Sequence, residues 1–270
     1  MDYFKYLFYG LVQGLTEFLP ISSSAHLKIF SQLFNLEDPG SSLSAIIQIG
    51  SVFAILIYFK EDLINILGKK SENNSLLNKR FLISIFMGTI SILLLGILIK
   101  FIIPNFYDSF LRSNQLIGIT SIFTGLLMYL SEMTKNKNIS LKNHSLADSF
   151  FIGLAQAFAI IPGFSRSGIT ITSALFLGWN KVDATKFSFL LGIPAISISA
   201  IVEIYSSLHN DLLNFYGPFL VALLSAFFTS LIAIKLLIRY ISFKGFKIFV
   251  YYKVFFGLII LLENSGFFKI

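Results

Sequence analysis

The stretch "VQGLTEFLPISSSAH", from Val12 to His26, places polar groups where a membrane segment is expected to be apolar. It contains Gln13, Glu17 and His26, and three consecutive serines begin two residues after Pro20. A charged side chain within a bilayer costs about 2.5–3.5 kcal/mol on insertion scales, so it needs a partner or a wet cavity. The stretch therefore predicts a helix that breaks at a buried polar site.

The composition of the whole chain is that of an all-α integral membrane protein. Hydrophobic residues make up 55% of the chain, charged residues make up 13%, and the mean hydropathy is +0.78. The net charge of +7 comes from basic residues scattered through short loops, which favours a membrane orientation signal and no nucleic acid partner. The absence of cysteine excludes disulfides and thiolate metal sites.

Six segments are long and apolar enough to be predicted as transmembrane helices: residues 43–59, 81–99, 115–131, 187–202, 216–234 and 248–262. Lys253 interrupts the last of these near one end and is expected to snorkel to the interface. Two further apolar stretches, 5–34 and 147–178, are each cut near the middle by a proline and a polar cluster. Neither half is long enough to span alone, so each stretch is predicted to be a re-entrant pair of half-helices.

The two broken stretches resemble each other. "GLVQGLTEFLPISSS" (Gly10 to Ser24) and "GLAQAFAIIPGFSRS" (Gly153 to Ser167) share Gly-Leu-x-Gln, an apolar run, a proline and a serine-rich turn. Each is followed by three predicted transmembrane helices, which divides the chain into repeats at 1–134 and 135–270. Because three helices cross the membrane an odd number of times, the second repeat is predicted to be inverted, with both breaks near the midplane.

The basic residues predict the orientation of the chain. Under this topology thirteen lie on one side and three, Lys5, Arg112 and Lys269, on the other. The thirteen are predicted to be cytoplasmic, so the first re-entrant pair and the active site face outward from a bacterial inner membrane. They are Lys60, Lys69, Lys70, Lys79, Arg80, Lys135, Lys137, Lys142, Lys181, Lys186, Arg239, Lys244 and Lys247.

Each break leaves the start of a half-helix pointing into the protein, where unpaired backbone N–H groups and a partial positive charge favour an anion. Arg166 adds a planar fork that binds phosphate oxygens bidentately, although it could instead pair structurally with Glu17. Ser22, Ser24 and Ser167 could equally be no more than helix caps. With Gly163, which permits close backbone approach, the predicted phosphate site comprises Ser22, Ser23, Ser24, Ser165, Arg166 and Ser167.

Three further side chains add chemistry beside this predicted phosphate site. Gln13 and Glu17 are four residues apart and share one helical face, so their oxygens could hold a divalent cation, Mg²⁺ or Ca²⁺. His26 follows the first break closely, and its titration range suits either nucleophilic attack on phosphorus or proton transfer. An anion cradle, a carboxylate and an imidazole together indicate phosphoryl chemistry.

At this point "QGLTEFLPISSSAH" and "PGFSRSG" (Pro162 to Gly168) resemble the two signature regions of the bacterial undecaprenyl-diphosphate phosphatases, the bacitracin-resistance family. With the repeat order, the resemblance covers nearly the whole chain. It includes that family's pattern of Glu or Gln, three residues, then Glu.

The resemblance implies hydrolysis of undecaprenyl diphosphate to undecaprenyl phosphate and inorganic phosphate, which recycles the lipid carrier for peptidoglycan synthesis and confers bacitracin resistance. It places Glu17 and Gln13 at a metal-linked site, His26 as the catalytic imidazole, Ser23 among the phosphate contacts, and Arg166 with Ser165 at a phosphate clamp. Gln13 departs from the members that have glutamate there and leaves one carboxylate in place of two.

Two other functions fit parts of the pattern. Inverted repeats with broken helices also occur in secondary transporters, so a transporter or flippase for a lipid-linked or anionic substrate is the alternative. His26 beside a phosphate cradle favours chemistry over transport. The acid-phosphatase-like membrane superfamily needs a histidine several residues after its Ser-Arg pair, but none follows Arg166 until His209.

Overall fold

The computed structural model describes residues 3–67, 75–102, 107–134, 138–207 and 216–264. Within these ranges the regular structure is helical, as predicted, and the one β contact is an isolated parallel bridge between Ile139 and Trp179. The start of the second predicted repeat, at residue 135, lies outside the described ranges. So do several residues named in the predictions: Lys69, Lys70, Lys135, Lys137, His209 and Lys269.

The described residues form eleven α-helices, with a π-helical turn at Tyr107–Leu111 and a 3-10 turn at Phe158–Ile160. In chain order the helices are α1 (Tyr3–Phe18), α2 (Ser23–Leu33), α3 (Gly40–Tyr58), α4 (Lys60–Leu67), α5 (Ser75–Ile102), α6 (Asn114–Glu132), α7 (Leu146–Ala157), α8 (Arg166–Phe176), α9 (Lys181–Ser207), α10 (Tyr216–Lys244) and α11 (Lys247–Asn264).

Three of these helices are long and apolar enough to cross a membrane. The stretches are Lys79–Ile99 in α5, Lys181–Tyr205 in α9 and Gly217–Lys244 in α10. They contain the predicted spans 81–99 and 187–202 and all but the first residue of 216–234. Of the other predicted spans, 115–131 and 248–262 lie in α6 and α11, and all but the last residue of 43–59 lies in α3; these three helices are shorter. The length and composition of the described helices thus support three membrane crossings directly.

Both stretches that were predicted to be broken are interrupted in the structure. α1 ends at Phe18 and α2 begins at Ser23, while α7 ends at Ala157 and α8 begins at Arg166. Pro20 lies in the first interruption, where a residue without an N–H group ends the helical ladder. A capping box formed by Ser145 and Asp148 opens α7, so this helix starts at a defined residue.

Small residues bring the helices that surround the breaks into close contact. α1 packs along α10, and α7 packs along α5. A Cβ atom on Gly14 of α1 would lie 2.4 Å from the Ala226 carbonyl oxygen of α10. On Gly153 of α7 it would lie 2.5 Å from the Gly88 Cα atom of α5. Such contacts allow backbones to approach closely, which is typical of helix packing in membranes.

Aromatic packing fixes the end of α1 next to the first break. Phe18 is fully buried and meets the Phe189 ring of α9 edge-on, with ring centroids 5.0 Å apart. Phe59 approaches the same Phe189 ring at 6.5 Å. These contacts hold the residue that follows Glu17 against α9, and α9 therefore borders the first break.

The loops on the side of the molecule where α6 ends are joined by buried polar contacts. Glu132 Oε1 accepts hydrogen bonds from Lys181 Nζ at 2.8 Å and from the Phe246 backbone N–H at 2.9 Å. In the loop before α7, His144 is bonded to Ser84 Oγ at 2.8 Å and to the Leu141 carbonyl oxygen at 2.9 Å. The end of α6, the start of α9 and the turn between α10 and α11 are therefore tied together.

Gly153→Ala is expected to lower the melting temperature of the protein in detergent. The added Cβ meets α5 backbone, which cannot swing aside, and overpacking of this kind costs about 1–3 kcal/mol. The matched control is Gly96→Ala in α5, where the nearest atom would be 4.0 Å away. Alanine is intrinsically the better helix former by roughly 1 kcal/mol, so equal melting temperatures for the two variants would contradict the packing.

His144 is expected to make stability decrease as the pH falls. Burial lowers the pKa of His144 below its ordinary value, with a partly opposing effect from the Leu141 carbonyl. The folded state thus binds the proton more weakly than the unfolded state, and stability is lost as the pH falls below about 6.5. Melting temperatures measured from about pH 7.5 to 5.5 should fall less steeply for His144→Gln than for the unaltered protein.

Candidate active site

The two breaks meet in the interior, which the sequence could not establish. The Gly163 N–H group donates to Ser22 Oγ at 3.0 Å. Ser167 Oγ donates to the carbonyl oxygens of Leu19 and Glu17, at 3.2 and 3.4 Å. Side chains from the start of each half-helix therefore satisfy backbone groups in the interruption of the other.

The turn before each half-helix has the same unusual backbone. Ser22 and Ser165 both lie in the left-handed region, with φ of 78° and 63°, which costs a residue with a Cβ atom roughly 1–2 kcal/mol. Ser165 Oγ accepts from the Gly168 N–H at 3.1 Å and caps α8, whereas Ser22 has no side-chain cap bond. The side-chain cap is therefore at Ser165, for which it was not predicted, and not at Ser22, for which it was.

Further short contacts connect the serines within each turn. The hydroxyl oxygens of Ser22 and Ser24 are 3.4 Å apart, and those of Ser165 and Ser167 are 3.2 Å apart. Gly163 is packed tightly, because a Cβ atom would lie 2.0 Å from Thr120 Oγ1, and its φ is 98°. The serines form hydroxyl pairs at the two helix starts, while the Gly163 N–H is already used by Ser22.

Glu17 is the centre of the polar cluster. Its Oε2 accepts from Gln13 Nε2 and from Ser23 Oγ, both at 2.7 Å, and its Oε1 accepts from Arg166 Nη2 at 3.3 Å. The side chains of Glu17 and Arg166 are only 5% and 10% exposed. The carboxylate therefore joins α1 to the starts of α2 and α8, and the structural pairing with Arg166 left open by the sequence is present.

Arg166 has its position set by α9. Its Nη1 donates to the Ser188 carbonyl oxygen at 3.0 Å, and a Cβ atom on Gly192 would lie 2.2 Å from the same nitrogen. The buried Nε has no hydrogen-bond partner. A buried donor without a partner is costly, so the guanidinium has unused capacity for an anion.

Gln13 and Glu17 offer side-chain oxygens, the type of donor that a hard divalent cation requires. Gln13 Oε1 is buried and has no hydrogen-bond partner, although it lies on the residue that contacts the Glu17 carboxylate. Within the described ranges no three His, Cys, Asp or Glu side chains form a metal cluster. Mg²⁺ is commonly bound by one or two protein oxygens with substrate phosphate oxygens and water, and this donor set is of that kind.

His26 faces α11 and is 1% exposed. Its Nδ1 is 2.7 Å from the Ser22 carbonyl oxygen, its Nε2 is 2.6 Å from the Tyr252 hydroxyl, and its ring stacks on Phe256 at 4.3 Å. None of these bonds joins His26 to Glu17 or Arg166. The imidazole is linked to the polar cluster through the Ser22 turn.

Sequence reasoning missed several residues around the site. Tyr252, Ser188 and Gly192 carry no signal in a single sequence, because their roles depend on contacts across the fold. Lys253 was noticed, but the prediction that it snorkels to the interface is wrong. It is 0% exposed, and Nζ donates to the Gly163 carbonyl oxygen at 2.7 Å, so a backbone carbonyl at the second break takes the place of water. A charged residue inside an apolar segment was the available signal.

The fold and this site define a helical, multi-pass membrane protein with a buried carboxylate, guanidinium and imidazole at the junction of two broken helices. The family model of the bacitracin resistance protein BacA matches residues 6–259, and the chain belongs to that family. An undecaprenyl-diphosphatase of Prochlorococcus marinus subsp. pastoris (strain CCMP1986 / NIES-2087 / MED4) is 53% identical over 265 residues, covering 97% of this chain and 100% of the relative.

Two further relatives carry the same name. An undecaprenyl-diphosphatase of Prochlorococcus marinus (strain MIT 9215) is 54% identical over 97% of this chain and 100% of its own length. That of strain NATL1A is 44% identical over 96% of this chain and 95% of its own length. The similarity thus extends over both broken stretches and every described helix, which supports the resemblance first noted at the two motifs.

Glu17 and Arg166 are expected to be energetically coupled. Glu17→Gln leaves a buried guanidinium without its charge partner, and Arg166→Gln does the same to the carboxylate. Loss of one partner of a buried pair costs about 3 kcal/mol or more, whereas removal of both charges costs less. Thermal unfolding in detergent should therefore show that the double variant loses less stability than the two single variants lose in total. Strict additivity would contradict the coupling.

Proposed function

We propose that the protein hydrolyses undecaprenyl diphosphate to undecaprenyl phosphate and inorganic phosphate. The reaction returns the lipid carrier to peptidoglycan and cell-wall synthesis and confers bacitracin resistance. Membership of the BacA family and the name of the relatives support this activity. The observation that carries it is the junction where Glu17, Arg166 and the starts of α2 and α8 come together in the apolar interior.

The phosphate groups bind where the two half-helices begin. Each is eleven residues long and presents unpaired N–H groups and a partial positive charge at its first turn. Arg166 contributes a guanidinium whose Nε has no protein partner. The hydroxyl groups that contribute hydrogen bonds are those of Ser22, Ser23, Ser24, Ser165 and Ser167, and Gly163 allows the second turn to approach.

Glu17 and Gln13 would hold the divalent cation, Mg²⁺ or Ca²⁺, through the carboxylate and the unpartnered Gln13 Oε1. When bound, the cation offsets the charge of the diphosphate and stabilises the oxygen that leaves. Ser23, which donates to Glu17, joins this cation site to the start of α2. One carboxylate is enough because the substrate supplies further oxygens.

His26 performs the proton transfer or the attack on phosphorus. In the neutral ring, Nδ1 donates to the Ser22 carbonyl, which can only accept, so Nε2 carries the lone pair. That lone pair either attacks the terminal phosphorus or takes a proton from water or a serine. In either route the bond from the terminal phosphorus to the bridging oxygen breaks, and undecaprenyl phosphate leaves. Where His26 or a serine is the nucleophile, water then cleaves the phosphoryl-enzyme bond and releases inorganic phosphate. Arg166 and the helix starts stabilise the charge that develops.

The chain is proposed to consist of two inverted repeats, 1–134 and 135–270, each a re-entrant pair followed by three transmembrane helices. Corresponding helices are paired in a manner that supports this. α1 packs on α10 as α7 packs on α5, and α3 with α9 and α6 with α11 each join counterparts. The shared left-handed serines at positions 22 and 165 are a second support.

The site is proposed to open to the outer face of a bacterial inner membrane. The excess of basic residues in the loops on the other side supports this orientation. The diphosphate then enters from the outer leaflet, while the prenyl chain remains among membrane lipids. A transporter for the same anionic lipid would share the broken helices but has less need of His26.

Purified protein in detergent should release phosphate from undecaprenyl diphosphate with Mg²⁺ or Ca²⁺ but not with chelator. Glu17→Ala, His26→Ala and Arg166→Ala should each reduce release by about 100-fold or more, because acid–base and electrostatic contributions are of that size. Matched controls are Glu61→Ala and Arg239→Ala, both exposed, and His144→Gln, which lies outside the site. These controls should remain active.

Two results would contradict the proposal in different ways. Full release by all three site variants would remove the assignment of this site. Binding of the lipid by folded, unaltered protein without any release would instead favour the transporter.

A further inference from the structure

α11 contributes two consecutive polar residues to the junction of the two breaks. The Tyr252 hydroxyl is 2.6 Å from His26 Nε2, which belongs to the first broken pair. Lys253 Nζ donates to the carbonyl oxygens of Gly163 and Phe164, at 2.7 and 3.4 Å, in the second. Neighbouring residues on a helix point about 100° apart, so one turn of α11 can contact both broken pairs.

Lys253 is a costly choice for a residue that only packs. It is fully buried in a helix of a membrane protein, where a lysine side chain is unfavourable unless its amino group is paired. An apolar residue would fill the same space without that cost. The carbonyls it contacts lie in the interruption before α8, outside the helical ladder, so the ammonium holds the backbone of the break in one arrangement.

Tyr252 acts on the orientation of His26. Because Nδ1 of the neutral ring donates to Ser22, Nε2 can accept the Tyr252 O–H, and the two bonds together select one tautomer and one ring position. The ring planes of His26 and Tyr252 are nearly parallel, at 14°. The Phe256 ring also stacks on the His26 ring, with an angle of 5° between the two planes. The imidazole is therefore held by hydrogen bonds in its plane and by rings against its face.

We propose that Tyr252 and Lys253 are positioning residues for the reaction, and this inference rests on the proposed function. Tyr252 holds His26 in the tautomer whose Nε2 carries no proton, and Lys253 fixes the second break, with its Arg166 and serines, relative to the same helix. α11 thereby sets the distance between the imidazole on one half-helix and the phosphate-binding groups on the other.

Tyr252→Phe removes one hydroxyl and keeps the stacked ring. Loss of this hydrogen bond should lower kcat roughly 3- to 10-fold, leave KM unchanged, lower the melting temperature by only a few degrees, and shift the pH profile of kcat. The matched control is Tyr251→Phe, since Tyr251 is 67% exposed on the same helix. It should behave as the unaltered protein. A purely structural role for Tyr252 would not shift the pH profile.

Lys253→Met and Lys253→Arg test whether the polar end of the Lys253 side chain, or only the space that the side chain fills, matters for kcat. Lys253→Met should lower kcat more than Tyr252→Phe does, and Lys253→Arg, which keeps a cation beside the two carbonyls, should recover much of the loss. The exposed Lys247→Met is the control on the same helix. Should Lys253→Met fail to fold, the positioning role of α11 is decided by the Tyr252→Phe and Lys253→Arg results.

A measurement that does not need turnover separates this inference from the proposed function. Nitrogen NMR of histidine-labelled protein should report the Nδ1–H tautomer for His26 and a changed tautomer population in Tyr252→Phe. An unchanged kcat, pH profile and tautomer in Tyr252→Phe would overturn the positioning role. If the unaltered protein releases no phosphate, but the tautomer population still changes in Tyr252→Phe, the proposed function is overturned and the geometry of α11 is left intact.

Discussion

The structure depends on the burial of one carboxylate between two broken helices. Glu17 receives hydrogen bonds from its own helix, from the start of α2 and from the start of α8, so each carboxylate oxygen has at least one donor. In an apolar environment an unpaired carboxylate would be strongly unfavourable, and the three donors make its position costly to change. The interruption of each helix is what allows a backbone turn and side chains to reach this depth.

The two broken pairs share a geometry but not a chemistry. Ser22 and Ser165 have the same left-handed backbone, and the residues after them, Ser23 and Arg166, both donate to Glu17. The second copy has Ile160 four residues after Gln156, where the first has Glu17 after Gln13. The second pair thus supplies cationic and hydroxyl donors, while the carboxylate and the imidazole come from the first.

Much of the fold could be predicted from the sequence because it follows from local pattern. The apolar runs indicated the helices, and Pro20 and Pro162 with their serine clusters indicated the interruptions. The polar residues of the broken stretches identified Glu17, Arg166 and the serines as candidates. What a local pattern cannot give is the rotation of a helix about its axis, so the direction in which His26 faces was not predictable. Its partner Tyr252 is 226 residues away in the chain.

The burial of Lys253, which was predicted to reach the membrane interface, changes the chemistry of the site. Its partner Gly163 is 90 residues away, so the segment alone offered only the interface as a place for its charge. With Lys253 inside, its hydrogen bonds connect α11 to the second break, while those of Arg166 connect α8 to Glu17. The Arg166 Nε is still a buried donor without a partner. In a region of low dielectric such a donor on a guanidinium is satisfied most readily by an anion, so the same contacts that order the two breaks also leave a place for negative charge between them.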